Sequence, residues 1–222
     1  FGDKKLSEIA VSVPGSTSLL REYDLDFCCG GSDTLANAAA EQGLNLAEIE
    51  TRLTELQNSK AENPEEYWVN ATYPEIIDHI LVRYHQRHRE QLQELIVLAD
   101  RVESVHGDRE DCPIGVAAEL RNVYEDLSNH MMKEEHVLFP MIKAGNYMMA
   151  QMPIRMMEME HAEHGEHLDV LKSLTNNMTP PADACNTWRA LYSGIQEFAD
   201  DLMMHIHREN NILFPRVIAE NH

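Results

Sequence analysis

At 222 residues the chain is long enough to bury a substantial core as one domain, or as one domain with a small appendage. Its 18 Lys and Arg stand against 38 Asp and Glu, and the net charge of −20 argues against DNA, RNA or anionic lipid as the main partner. No apolar run approaches the roughly 20 residues that span a bilayer, and 10 Gly and 9 Pro, mostly outside the periodic segments, favour helices over strands. The four Cys have one adjacent pair and no regular spacing, which fits neither a disulfide framework nor a zinc site and points to a reducing, cytoplasmic setting. No secretory signal is visible, and because the chain starts at Phe1 without an initiator Met, its true N-terminus is expected upstream.

Residues 1–58 read as a small helical domain of short patterns, broken at Pro14-Gly15 and at Cys28-Cys29-Gly30-Gly31. The second break sets two thiols before an expected helix start capped by Ser32 or Asp33. A helix N-terminus lowers a thiol's pKa and favours the reactive, metal-binding thiolate; the same spacing equally fits two partly buried small residues in a tight turn. Residues 59–72 are polar with one Pro and read as a linker, able to reach about 45 Å at about 3.3 Å per residue when extended.

Four long helical patterns fill residues 73–222. The first opens at Thr72-Tyr73-Pro74 and runs to about Val105, its apolar stripe of Ile77, Leu81, Leu92, Leu95, Ala99 and Val102 completed by His85 and His88. The second carries Leu120, Val123, Leu127, His130, Glu134, Leu138 and Met141. The third is expected to open near Pro153, to carry Met157, His161, His164, Leu168 and Leu171, and to end before Pro180-Pro181. The fourth carries Trp188, Leu191, Ile195, Phe198, Leu202, His205, Glu209 and Ile212. Pro140 and Pro215 each fall six residues after a stripe Glu, where they deprive the carbonyls of His136 and Asn211 of a partner, so a kink or an end is expected there.

These patterns form an internal repeat. His130-x3-Glu134-x3-Leu138-Phe139-Pro140 recurs as His205-x3-Glu209-x3-Leu213-Phe214-Pro215 at an offset of 75, and His85, His88, Leu92 and Leu95 recur as His161, His164, Leu168 and Leu171 at an offset of 76. Two helical hairpins packed as a pseudo-symmetric four-helix bundle follow, making the chain all-α.

Every pattern puts His on the face that the period buries, and two add Glu. An unpaired buried carboxylate must become neutral or find a cation, and the stripes offer no Lys or Arg. Residues four apart share a helix face, so each His-x3-Glu can aim a ring nitrogen and a carboxylate at one point. A two-metal site follows, with His85, His130, His161 and His205 as terminal ligands and Glu134 and Glu209 as bridges. A lone His on an apolar face is more often a hydrogen-bonded core residue than a ligand; six residues on four helices related by a repeat are not well served by that reading. Imidazole and carboxylate without thiolate suit iron or manganese and permit zinc, and six ligands leave room for an oxo or hydroxo bridge and a position open to oxygen or nitric oxide. His88 and His164 fit donors behind the ligands, Glu160 an extra oxygen beside His161, and His106, His136, His167 and His207 solvated or orienting positions. Cys112 and Cys185 carry no pattern, and the Met cluster from Met148 to Met159 reads as flexible packing.

Cys-Cys-Gly-Gly at 28–31, Ile-Ile-Asp-His-Ile with Arg-Tyr-His85, Ser-x-His130-Met-Met-Lys-Glu134-Glu, Glu160-His161 and His205-x3-Glu209-Asn with Leu-Phe-Pro together resemble the repair-of-iron-centres family. The resemblance covers essentially the whole chain. It implies a hemerythrin-like four-helix bundle with a small helical N-terminal domain, holding two non-haem iron ions bridged by oxo or hydroxo and carboxylate groups. His85, His130, His161, His205, Glu134 and Glu209 are then the iron ligands and Cys28 and Cys29 functional thiols. It further implies a cytoplasmic homodimer that repairs iron-sulfur clusters damaged by oxidative and nitrosative stress, supplying iron to damaged iron-sulfur proteins. Glu stands where oxygen-carrying hemerythrins have one more His, which argues against simple reversible oxygen carriage. Two other readings of the same site are a nitric oxide reductase, which would make the protein an enzyme, and a sensor or carrier of oxygen or nitric oxide; iron storage finds no sign of a shell-forming assembly.

Overall fold

A computed structural model of the chain describes residues 1–59 and 61–220. Lys60, within the stretch read as a linker, lies outside the described residues, as do Asn221 and His222. In chain order the helices are α1 (Leu6–Ser12), α2 (Ser16–Glu22), α3 (Leu35–Glu41), α4 (Leu46–Asn58), α5 (Pro64–Asn70), α6 (Tyr73–His79), α7 (Gln86–His106), α8 (Val116–Lys133), α9 (Phe139–Lys143), α10 (Tyr147–Leu174), α11 (Asn186–His207) and α12 (Phe214–Ala219). Three π-helical turns, Ile80–His85, Glu134–Leu138 and Arg208–Leu213, continue α6 into α7, α8 into α9 and α11 into α12. The chain divides into two compact units, residues 1–77 with 204–222 and residues 78–203. None of the helices described is long and apolar enough to cross a membrane.

In the first unit, α1 and α2 are separated at Gly15, whose φ of 74° is the left-handed conformation that glycine adopts without penalty. Leu6, Ile9, Leu20, Leu25, Phe27, Leu35, Ile49 and Leu53 are wholly buried. The cap of α3 is Thr34, whose Oγ1 accepts from the Asn37 N–H at 3.3 Å. The expected caps Ser32 and Asp33 are displaced because the Asp33 carboxylate is taken by the Thr34 N–H and the Asn37 amide. Residues 64–70 of the stretch read as a linker form α5, begun by Asn63, which accepts from the Glu65 N–H, with Pro64 in the first turn. A capping box of Thr72 and Glu75 starts α6: the Thr72 N–H donates to Glu75 Oε2 at 2.8 Å and the Glu75 N–H to Thr72 Oγ1 at 3.4 Å.

The second unit is a bundle of α7, α8, α10 and the greater part of α11. Leu92, Leu95, Ala99 and Val102 of α7, Leu120, Val123 and Leu127 of α8, Ile154, Met157, Leu168 and Leu171 of α10, and Trp188, Leu191, Ile195, Phe198 and Leu202 of α11 are buried, as the 3.6 period requires. Helix α7 meets α11 where Gly194 faces Leu95; a Cβ there would lie 2.7 Å from Leu95 Cδ2, so the absent side chain sets how near the two helices pack. Arg83 donates to Asp201 at 2.6 Å on one edge of this pair, and Arg121 of α8 pairs with Asp100 of α7.

The helices do not end at Pro140 and Pro215, one of the two outcomes expected there. They widen into π turns in which the N–H of Phe139 bonds Glu134 O and that of Phe214 bonds Glu209 O, five residues back. The carbonyls of His136 and Asn211, which a proline cannot serve, lie inside these turns, and the wider winding relaxes the demand for that bond. Each π turn also slips the register by about one residue, so Ile142 rather than Met141 is buried and Ile80 rather than Leu81. Pro153 does not open α10, which starts at Tyr147 and holds the proline inside it. The bond thereby lost belongs to the carbonyl of Met149, a residue 65 % exposed, where water can take its place. Apart from Met157, which is buried, most of the Met cluster is not packing either. With Met157 and His161 turned inward, Met148, Met152, Met156 and Met159 fall on the solvent face and are 76 %, 71 %, 51 % and 64 % exposed.

Within the first unit the turn Arg208–Leu213 is anchored by a buried ion cluster. Both guanidinium ends of Arg208 reach the Glu65 carboxylate, His207 Nε2 lies 3.3 Å from Glu65 Oε2, and Arg208 sits 4.8 Å over the Trp68 ring. Burial works to raise the Glu65 pKa, but the His207 and Arg208 contacts outweigh it and hold the carboxyl below its ordinary value. Replacing Glu65 by Leu leaves Arg208 buried without its counter-ion, and urea unfolding should show a loss of about 3–5 kcal/mol. A loss under about 1 kcal/mol would mean that solvent reaches the guanidinium.

Candidate metal centre

Four of the six expected ligands lie in the second unit and are buried: His85 at the end of the first π turn, His130 in the last turn of α8, Glu134 opening the second π turn, and His161 in mid α10. Glu134 Oε2 lies 3.2 Å from His85 Nε2, and Glu134 Oε1 lies 3.3 Å from His130 Nε2. Among the described residues neither Glu134 oxygen finds a hydrogen-bond donor. His161 Nε2 faces His130 Nε2 at 3.1 Å, and one donor atom from each of His130, Glu134 and His161 falls within 4.8 Å of the others.

The far side of each ring explains why these atoms converge. His85 Nδ1 bonds Glu135 Oε1 at 2.8 Å, and His130 Nδ1 bonds Glu160 Oε2 at 2.9 Å. Arg89 holds Glu135 and Lys133 holds Glu160 in turn. The Glu135 pKa is brought down to about 2 by the His85 bond against partial burial, with Arg89 assisting; that of Glu160 is brought down to about 2 by the His130 bond, again against burial, with Lys133 assisting. Both are therefore ionised acceptors that demand an N–H at Nδ1, which leaves the lone pair at Nε2. The Nε2 lone pairs of His85 and His130 then point at the buried Glu134 carboxylate. Lone pairs facing an ionised carboxylate repel unless a cation lies among them. Bonds of about 2.0–2.2 Å to one cation set neighbouring donors about 3 Å apart, which is the spacing found. The donor set fits a hard or borderline divalent metal.

The other two expected ligands, His205 and Glu209, lie in the first unit, both buried, with Nε2 and Oε1 3.4 Å apart across one turn. Cys28 and Cys29 lie in the same unit, in the loop before α3. Asp26 caps this loop, accepting from the N–H groups of Cys28, Cys29 and Gly30 at 3.0, 2.9 and 2.9 Å. A Cβ at Gly31 would meet Phe27 O at 2.5 Å, so the tight fold requires that glycine. The sulfurs are 3.8 Å apart and Cys28 Sγ is 3.2 Å from Asp26 Oδ1. Of the two readings of this loop, Cys28 fits the buried small residue in a tight turn. Its bond with Cys29 and then burial, followed by the charges of Cys29 and Asp26, push its pKa well above the ordinary value.

Several residues escaped the sequence reading. Glu160 serves His130 of the neighbouring helix instead of standing beside His161, and Glu135 was not singled out at all. Their one signal is adjacency to a ligand, one residue off the stripe. His207, expected to be solvated or orienting, is wholly buried against Phe27 and bonded to Asn211. His88 donates toward Gln91, which bonds Asp201, in a buried network behind the site. His167 lies between Glu119 and Asp126 on the surface of the bundle, and Cys185 lies 3.2 Å from His106.

A family model described as the hemerythrin HHE cation binding domain matches residues 76–217, and one described as a domain of unknown function, DUF542, matches residues 2–57. A probable iron-sulfur cluster repair protein from Haemophilus influenzae is 67 % identical over 220 residues, 99 % of each chain. The chain belongs to the hemerythrin-like iron-sulfur cluster repair family. Further members are the iron-sulfur cluster repair proteins YtfE of Musicola paradisiaca, 54 % identical over 98 % of this chain and 97 % of the relative, and of Escherichia coli, 54 % identical over 99 % and 98 %. Membership confirms the all-α reading, a hemerythrin-like bundle with a helical N-terminal region, and a cation-binding role for the bundle.

Because the pKa values of Glu135 and Glu160 are lowered on folding from 4.5 to about 2, their pairing stabilises the fold fully above about pH 4.5 and is lost as pH falls toward about 2. Urea midpoints of the metal-free protein between pH 6 and 2.5 should fall more steeply for the native chain than for Glu135→Gln with Glu160→Gln. Parallel curves would show that neither pair contributes.

Proposed function

We propose that this protein repairs iron-sulfur clusters damaged by oxidative and nitrosative stress, in the cytoplasm and as a homodimer, by supplying iron to the damaged proteins. The observation that carries the proposal is the convergence on Glu134 of imidazole lone pairs that ionised carboxylates hold in place from behind. The names of the relatives support the repair role.

In this reading His85, His130, His161 and His205 are terminal ligands and Glu134 and Glu209 bridging ones for two non-haem iron ions. The ions supply redox capacity and a cargo that can be handed over. The protein's own part is electrostatic and geometric. Glu135 and Glu160 fix the tautomer and tilt of two rings, Arg89 and Lys133 hold those carboxylates in place, and the apolar stripes keep water away from Glu134. Residues 1–58, with Cys28 and Cys29 as functional thiols, and residues 73–222, joined through residues 59–72, are taken as the domains of the protein.

The native chain should bind about two irons, as carboxylate-bridged pairs in such bundles do. His130→Leu and Glu209→Leu should lose iron and cluster repair together, and Glu160→Gln should weaken iron binding by about 10–100-fold. A variant stripped of iron that still restored damaged clusters at the native rate would sink the proposal. Catalytic conversion of nitric oxide to nitrous oxide by the reduced protein, without cluster repair, would move the function to nitric oxide reduction instead.

A further inference from the structure

Helix α10 turns Ala150, Ile154, Met157, His161 and His164 into the bundle and carries a second apolar stripe on its outer side. Met149, Met152, Met156 and Met159 follow one another at spacings of three, four and three, which sets them in one row along the helix, with Met148 beside it. All five are more than half exposed. Among the described residues no other stretch of twelve bares more than two large apolar side chains. A contiguous apolar patch of this length on so acidic a chain marks a contact surface.

The row reads the same in both directions. Turned end for end about a point level with Ile154, it falls on itself: Met149 takes the place of Met159, and Met152 that of Met156. Contact between two copies across a two-fold axis needs this property, because each residue i meets residue j while j meets i. Charge fixes the direction. The row continues at the same spacing to Glu163 and Glu166, both exposed. Parallel helices would set each of these glutamates against its own copy, whereas antiparallel helices centred on Ile154 carry them to opposite ends of the contact. A net charge of −20 makes two copies repel over most of their surface, but residues 146–159 hold one Arg and one Glu, so the repulsion is least here.

We propose that α10 is the contact between two copies of this chain: Met149 and Met152 of one copy pack against Met159 and Met156 of the other, with the helices antiparallel about a two-fold axis level with Ile154. The inference rests on the homodimer of the proposed function and names its surface. Thioether side chains suit such a contact, being flexible and polarisable enough to interlock across an axis, and Met is enriched where protein surfaces meet.

The test follows full-length protein, loaded anaerobically with ferrous iron, by sedimentation velocity over a concentration series. The native chain should dimerise. Met152→Glu with Met156→Glu brings four carboxylates together at the axis and should raise the dimer dissociation constant about a hundredfold or more. Helix and iron content should stay native, since both side chains already face water. A second pair of variants separates the two directions. Met149→Glu with Met159→Lys should still dimerise, because each new carboxylate meets a new ammonium of the other copy, while Met149→Glu with Met159→Glu should not. A native chain that is monomeric at every concentration would overturn the homodimer and this contact together. A dimer indifferent to Met152→Glu with Met156→Glu would leave the homodimer standing and overturn the contact. Loss of the dimer in both variants of Met149 and Met159 would overturn the antiparallel pairing.

Discussion

An ionised carboxylate in an apolar bundle costs several kcal/mol unless something positive meets it. Glu134 has that problem, and much of the second unit can be understood as its solution. Among the described residues no Lys or Arg hydrogen-bonds to it. The nearest groups are two imidazoles whose protons are committed elsewhere, so the compensation has to come from outside the polypeptide. A protein that needed only a stable bundle would have Leu at this position, because a well-packed apolar residue is as stable as a buried pair or more so. Glu at 134 is a stability cost retained for what it can hold.

The backbone around the centre is shaped to the same end. Ordinary α winding carries a stripe past any point in register, whereas a π turn slips the stripe and re-aims the next side chains. The turns at Glu134–Leu138 and Arg208–Leu213 follow the same sequence and bond the same carbonyl, that of the stripe Glu, so the repeat persists as geometry as well as letters. The correspondence is incomplete. A π turn leads up to His85, while His161 sits in unbroken α-helix, so two histidines equivalent in sequence are presented by differently wound chain.

What the sequence made legible follows from periodicity. His85, His130, Glu134, His161, His205 and Glu209 are all buried where the 3.6 period puts them, because apolar neighbours on each stripe leave no other face to turn inward. The π turns were invisible because they alter the period itself, which is why Met141 and Leu81 were placed inward and Ile142 and Ile80 were overlooked. Glu135, Asn210 and Asn211 were missed, and Glu160 was set beside His161 rather than His130, for another reason. Each acts across to a different element, and residue spacing within one helix carries no information about which neighbour it will face. His207 combines both effects, since it sits beside the His205 stripe and is buried only because Phe27, Glu65 and Asn211 close around it.

The paired carboxylates have a consequence for how this protein tolerates change. Arg89 and Lys133 have side chains 38 % and 52 % exposed, and by exposure they belong to the permissive outer layer where most substitutions are neutral. Each is nevertheless one carboxylate away from a buried imidazole, so a charge lost at the surface is felt two bonds inward as a ring free to turn. The boundary between surface and interior, in the sense that matters for drift, therefore runs outside these two cations rather than beneath them.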